Sequence, residues 1–163
     1  AALLRPFQKC AGVELSSELH EAAEQLAGDF RAFARRLPFP AASLDLRCGD
    51  FSVEGDWTKA DVVLLHATAF GAQLLGTVAK AALRMRPGAW IVTVSKPLPG
   101  TASGAFELEG CEQMQMHYGE ASVFFQRRSE ACVDENLLDF EIEEAAEDEA
   151  MLQTMLLDDL LDE

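Results

Sequence analysis

Short apolar runs alternate with amphipathic segments along the first 128 residues, and this alternation limits the folds open to the chain. The strongest run, residues 61–66, is almost continuously apolar, which is typical of a strand buried on both faces of a parallel sheet. Residues 72–85 carry apolar side chains at helical spacing, and Pro87 and Gly88 end that helix. Strands that alternate with helices over short loops predict an α/β domain with a mostly parallel sheet.

Six strands and two helices are predicted in this region. The first strand covers residues 9–15, and Ser16 or Ser17 can cap a helix that reaches about Leu37. The later strands cover residues 44–48, 62–66, 90–94, 106–113 and 122–126. We expect 62–66 and 90–94 at the centre of the sheet, because both are almost continuously apolar. The last two strands predict an antiparallel hairpin at one edge.

The charge of the chain is concentrated at its C-terminus. Residues 129–163 hold 14 of the 28 acidic residues and none of the 13 basic ones. We therefore predict two parts: a folded body over 1–128 and an acidic, largely disordered tail over 129–163. A neutral body with an acidic tail predicts no direct nucleic acid contact. Part of the tail has an amphipathic stripe that predicts a helix over 151–161, formed by Met151, Leu152, Met155, Leu156, Leu160 and Leu161.

Several classes of site find no support in the sequence. No apolar run approaches the ~20 residues of a membrane span, so no membrane is expected as a partner. The four cysteines and three histidines lack the spacing of zinc ligands, so no metal is expected. We interpret Cys10, Cys48, Cys111 and Cys132 as reduced, buried thiols of an intracellular protein, in the nucleus or cytoplasm.

Three residues that follow predicted strands suit a nucleoside ligand. Ligands of open parallel sheets bind beyond the carboxyl ends of the strands. Glu14 can accept hydrogen bonds from both ribose hydroxyls, Asp50 can accept one from an adenine amino group, and Phe51 offers a flat apolar face. Each has a simpler alternative: Glu14 as a cap of the next helix, and Asp50 with Phe51 as a turn residue and a core aromatic.

These residues belong to a collinear series of motifs that resembles a known family. The series is Gly12-Val13-Glu14-Leu15, Gly49-Asp50-Phe51, Trp57 with Asp61-Val62-Val63, His66-Ala67-Thr68-Ala69-Phe70, and Arg86-Pro87-Gly88-Ala89. Its order and spacing resemble a class I S-adenosylmethionine-dependent methyltransferase. It is most similar to the non-SET histone-lysine methyltransferases of the disruptor of telomeric silencing family. The resemblance covers about residues 3–128 and implies a Rossmann-like mixed sheet, mostly parallel with a C-terminal antiparallel hairpin and incomplete at its N-terminus.

The resemblance also implies roles for particular residues. S-adenosyl-L-methionine would be the cofactor, with Glu14 on its ribose and Asp50 and Phe51 on its adenine. His66 and Phe70 would border the methyl-transfer pocket and the substrate channel, and they are the candidate catalytic residues. His66 stands where the family has an asparagine, which changes the pattern of hydrogen-bond donors and acceptors. A general-base role and a structural role for His66 both remain open.

Two functions from different classes follow. The first is an enzyme that methylates a lysine of a basic protein substrate, with a histone as the candidate. The glycine-rich loop of the family is absent from this sequence, so this chain alone is expected to be inactive. The second is a degenerate methyltransferase domain that binds a basic partner through its acidic tail. A solvated tail without a partner is the simpler alternative.

Overall fold

The computed structural model describes residues 7–37, 41–53 and 55–161. The chain divides into two compact units, residues 1–57 and 58–163. In the first unit, β1 (Lys9–Glu14) leads through α1 (Ser17–Ala34) to β2 (Ser43–Cys48). The two strands pair in parallel, with Lys9 opposite Ser43 and Glu14 opposite Cys48. This strand–helix–strand unit confirms the predicted parallel pairing.

Local chemistry explains the limits of α1 and the pairing beside it. Ser16 is the N-cap, and its hydroxyl accepts a hydrogen bond from Leu19 N at 3.3 Å, as predicted for one of the two serines. The Asp45 carboxylate on β2 pairs with Lys9 Nζ on β1 at 2.6 Å and with Arg47 at 3.0 Å. Hydrogen bonds from Arg47 and Lys9 lower the pKa of Asp45 to about 2, so this charge persists over the whole neutral range.

The second unit contains a four-stranded sheet and two helices. Its elements are β3 (Val62–His66), α2 (Ala72–Ala82), β4 (Trp90–Val94), β5 (Phe106–Met116), β6 (Gly119–Arg128) and α3 (Glu135–Leu161). The strand order is β3-β4-β6-β5. β3 and β4 are parallel, whereas β6 is antiparallel to both β4 and β5. The predicted C-terminal hairpin and the mixed α/β fold are confirmed.

The position of β3 corrects one expectation. We expected the strand over 62–66 to be central, but it lies at an edge of the four-stranded sheet, and the six strands form two sheets. One face is buried through Val63 and Leu65, whereas Val62 and Leu64 on the other face are 44% and 70% exposed. An almost continuously apolar run shows that a strand can be buried on both faces. Whether other elements cover both faces depends on the tertiary structure. β4 is interior, as predicted.

The acidic tail differs from its prediction. In place of a largely disordered segment with a helix over 151–161, the structure has α3 over Glu135–Leu161. Asp134 Oδ1 accepts hydrogen bonds from the backbone N–H groups of Asn136 and Leu137. Leu138 is only 1% exposed, and Ile142 packs on Gly76 of α2. Leu138 and Ile142 are four positions apart and therefore share one helix face. The high charge around them led to the prediction of a disordered tail.

The cysteines also differ from their prediction. All four are free, but Cys48, Cys111 and Cys132 are exposed and Cys10 is only partly buried. Cys48 is the last residue of β2, and Cys111 lies on the edge strand β5, so a place in a strand did not imply burial. Within the residues that the structure describes, no helix has the length and apolar character required to cross a membrane.

A pair of glycine substitutions tests the contact between α2 and α3. A Cβ on Gly76 would lie 2.5 Å from Ile142 Cγ2, whereas one on Gly28 of α1 would meet nothing within 4 Å. We expect Gly76→Ala to lower the free energy of unfolding by about 1–3 kcal/mol through overpacking. Gly28→Ala should raise it by roughly 0.5–1 kcal/mol through helix propensity. Urea unfolding of both variants measures this; equal stabilisation by both would exclude the close contact.

Candidate functional site

The first unit brings the predicted nucleoside-binding residues to one edge. β1 and β2 end side by side, with Glu14 opposite Cys48. The backbone N–H of Gly49 donates to the Glu14 carbonyl at 2.9 Å. Asp50 and Phe51 follow directly in the chain. The parallel pair therefore places Glu14 and Asp50 at its carboxyl end, where open parallel sheets bind ligands.

The Glu14 side chain serves the start of α1 with one of its oxygens. Its Oε1 accepts a hydrogen bond from the backbone N–H of Ser16 at 2.9 Å, and the residue is partly buried. This contact agrees with the simpler alternative, in which Glu14 helps to cap the helix. Within residues 7–37, 41–53 and 55–161, Oε2 accepts no hydrogen bond. One carboxylate oxygen can therefore accept from a ligand hydroxyl while the other holds the helix start.

Asp50 is oriented by a turn that its own side chain closes. Its Oδ1 accepts from Ser52 N at 2.8 Å and from Ser52 Oγ at 2.6 Å. These two hydrogen bonds lower the pKa of the exposed Asp50 carboxyl, so the group is ionised at neutral pH. Among the described residues, no donor binds Oδ2. The turn therefore presents an oriented anionic oxygen, which suits an amino-group donor.

Phe51 has an aromatic neighbour, Trp57, which belongs to the motif series but was not predicted as a site residue. Its ring lies edge-on to Trp57, with centroids 6.3 Å apart and planes at 60°. Trp57 Nε1 also donates to the Phe51 carbonyl at 2.9 Å. The two aromatic residues stand six positions apart in a polar loop, and that spacing was the available signal. The aromatic pair thus offers an apolar surface next in the chain to the oriented Asp50 carboxylate.

His66 ends β3 and contacts a residue from the β5–β6 hairpin. His66 Nε2 lies 2.8 Å from the Tyr118 hydroxyl, and the two rings meet edge-on at 5.6 Å. Tyr118, the single tyrosine of the chain, sits in the hairpin turn, and its ring also contacts His117. Sequence reasoning missed Tyr118, because only the pairing of β6 with β4 brings the hairpin turn to this end of the sheet. Nε2 of His66 is thus engaged within the protein.

Phe70 follows a short 3-10 turn, Ala67–Ala69, after β3. Its carbonyl accepts a hydrogen bond from Lys96 Nζ at 2.8 Å. The hydroxyls of Thr68 and Ser95 lie 2.8 Å apart, and Ser95 adopts a positive φ of 77° directly after β4. Such a φ is costly for a serine and is often found at functional sites. The second unit thus gathers His66, Thr68, Phe70 and Ser95 around the carboxyl ends of its two parallel strands.

The fold of this chain is similar to those of solved structures that include methyltransferases. A putative methyltransferase, YhhF of Escherichia coli, is 7% identical with a TM-score of 0.53, over 76% of this chain and 65% of that one. The magnesium protoporphyrin IX methyltransferase ChlM of Synechocystis PCC 6803, with S-adenosylmethionine bound, is 13% identical with a TM-score of 0.54, over 74% and 60%. TrmN of Thermus thermophilus is 14% identical with a TM-score of 0.56, over 77% and 38%. The chain thus spans between 38% and 65% of the length of these structures.

The particular family is identified from the sequence. Residues 1–120 match the family described as histone methylation protein DOT1, and the chain belongs to this family. A comparison with curated proteins finds no match. The family membership agrees with the resemblance seen in the motifs between Gly12 and Ala89.

Proposed function

We propose that residues 1–128 are the C-terminal part of the catalytic domain of an S-adenosylmethionine-dependent methyltransferase that acts on a lysine of a basic protein, with a histone as its substrate. One observation carries the proposal: Glu14, Asp50 and Phe51 lie at the shared carboxyl end of a parallel strand pair. In a chain of the DOT1 family, this edge has the chemistry that an adenosine requires. A histone substrate would make the protein nuclear.

Some of the site residues would bind the cofactor, and others would orient the substrate. When bound, S-adenosylmethionine supplies a methyl group activated by a sulfonium. Glu14 would hold the ribose hydroxyls, Asp50 the adenine amino group, and Phe51 the ring face. His66 and Phe70 would border the approach of the lysine amine. Orientation of the amine is the main contribution of the chain, because methyl transfer needs no covalent bond to the protein.

The proton of the lysine ammonium must leave before the amine attacks. Solvent or a nearby acceptor takes it. His66 Nε2 is engaged by Tyr118, and a phenol is the better donor whereas an imidazole nitrogen is the better acceptor. If Tyr118 donates this hydrogen bond, Nε2 is occupied and cannot take the proton of the lysine. This arrangement favours a positioning role for His66 over that of a general base.

Cofactor binding tests the proposal. The 163-residue sequence contains no Gly-x-Gly motif, and backbone donors of such a loop normally hold the remainder of this cofactor. In isothermal titration calorimetry, we expect the 163-residue chain to bind S-adenosylmethionine weakly or not at all. A polypeptide that joins the chain to a glycine-rich N-terminal half should bind it with micromolar affinity. Failure of that longer polypeptide to bind would refute the proposal, whereas micromolar binding by the chain alone would refute the need for the loop.

A second candidate is a binding module for a basic protein. α3 lines a groove of about 560 Å³ whose apolar wall includes Leu75, Leu98 and Leu108, and whose acidic side includes Glu144 and Asp148. Such a groove suits a lysine-rich segment, whose methylene stems need apolar surface and whose ammonium groups need carboxylates. Two results together would favour this module over the enzyme. The protein would bind a lysine-rich peptide less tightly after Glu144→Gln, and it would not bind the cofactor in any form.

A further inference from the structure

The acidic helix α3 is tied to the segment that follows β3 through one carboxylate. Glu149 Oε2 accepts a hydrogen bond from the backbone N–H of Ala72 at 2.7 Å. Glu149 Oε1 lies 3.2 Å from Lys96 Nζ. The same Lys96 Nζ donates to the Phe70 carbonyl at 2.8 Å. These three contacts join α3, the start of α2 and the end of β4 around residues 70–72.

Glu149 replaces a cap that α2 lacks locally. The N-cap residue of α2 is Gly71, which provides no side-chain hydrogen bond to the helix start. Glu149, 77 positions after Ala72, supplies the acceptor instead. A Cβ on Gly71 would lie only 3.2 Å from Glu149 Oε2, so the glycine allows the carboxylate to approach closely. An anion at the start of a helix is also favoured by the helix dipole.

The charge of Glu149 is maintained by its partners. The hydrogen bond from Ala72 N–H, and next the one from Lys96, lower the pKa of its carboxyl below the ordinary value. Glu149 is therefore ionised at neutral pH and holds the Lys96 ammonium by charge as well as by a hydrogen bond. Lys96 in turn holds the main chain at Phe70. The place of the Phe70 backbone thus depends on a residue of the tail.

We propose that Glu149 is a positioning residue that fixes residues 70–72, and that α3 is thereby part of the framework of the methyl-acceptor site. The contact to Phe70 through Lys96 carries the structural half of this inference. Its effect on methyl transfer rests on the proposed function, since Phe70 is assigned to the substrate channel there. The acidic tail is then a component of the site and more than a charged extension.

Hydrogen exchange on the full 163-residue chain tests the structural half. We expect Glu149→Ala to speed exchange of the Ala72 amide by about tenfold, because its acceptor is removed. Glu149→Gln should restore most of the protection, since the amide oxygen can accept from the same N–H. Glu147→Ala removes an exposed α3 carboxylate with no hydrogen bond in the described residues, and it should leave Ala72 unchanged.

A second set of amides distinguishes a local effect from undocking of the whole helix. Glu141, also on α3, accepts from the backbone N–H groups of Ala102 and Ser103 at 2.9 and 3.1 Å. In Glu149→Ala these two amides should keep their wild-type exchange rates. Unchanged exchange at Ala72, or equal loss of protection at Ala72, Ala102 and Ser103, would overturn the local positioning role.

The kinetic half uses the longer polypeptide that binds S-adenosylmethionine, with a lysine-rich peptide as methyl acceptor. Glu149→Ala should raise the KM for the peptide by about tenfold and leave the cofactor Kd unchanged, because the substrate channel is misplaced and the adenosine site is intact. Glu149→Gln should give an intermediate KM, because it keeps an acceptor for Ala72 N–H but its amide nitrogen cannot accept from Lys96. Unchanged KM in an active enzyme would overturn the inference but leave the proposed function standing. If the wild type transfers no methyl group, the proposed function fails, and hydrogen exchange alone decides the role of Glu149.

Discussion

Leu138→Ala is expected to lower the free energy of unfolding by about 2–5 kcal/mol, the range for a leucine removed from a well-packed core. Leu138 lies in the first turn of α3 and is 1% exposed. It is also held by its backbone, since Leu138 N donates to the Asp134 carbonyl at 3.0 Å. Urea unfolding of the variant measures the loss directly.

Its neighbour Leu137 provides the matched control. Leu137 is 37% exposed on the same turn, so Leu137→Ala should cost less than about 1 kcal/mol. Truncation after Arg128 gives a complementary measurement, since it removes α3 entirely. A largely disordered tail would leave the thermal midpoint nearly unchanged on truncation, whereas a docked α3 predicts a clear decrease. If Leu138→Ala and the truncated chain both keep wild-type stability, residues 129–163 are a separable tail and the docking of α3 is contradicted.

Asp50→Asn is expected to raise the Kd of S-adenosylmethionine roughly 10- to 150-fold, because a hydrogen bond to a charged group is lost. The asparagine keeps an oxygen for the two hydrogen bonds from Ser52, so the turn should survive. Its amide nitrogen would replace the oxygen that accepts from adenine. The Kd is measured by calorimetry on the longer polypeptide that includes a glycine-rich N-terminal half.

Two further variants control this result. Asp29→Asn removes an exposed charge of the same unit on α1 and should leave the Kd unchanged. Phe51→Ala should weaken binding by about 0.5–1.5 kcal/mol beyond the loss of buried area, because stacking is removed. Thermal unfolding of each variant separates a binding loss from a folding loss. Normal binding by both Asp50→Asn and Phe51→Ala would move the adenine site elsewhere.

The alternation of apolar strands and amphipathic helices was sufficient to predict the α/β class and most elements. Residues 90–94 match β4, and α1 is capped by Ser16, one of the two serines predicted for that position. Such features are local, because strand and helix periodicities and capping depend on neighbours within a few positions. The place of Glu14 and Asp50 at one carboxyl edge was also predictable, since parallel strands end on the same side. Their roles as ligands of the adenosine stay predictions.

The tertiary structure decided which of these local elements meet. Only strand pairing showed that β3 lies at a sheet edge and that the hairpin turn brings Tyr118 to His66. Only helix packing showed that Leu138 and Glu149, in a segment that reads as charged tail, contact the body. These contacts join residues 52 to 77 positions apart. Their formation depends on burial and geometry across the fold, and no periodicity within a short window encodes it.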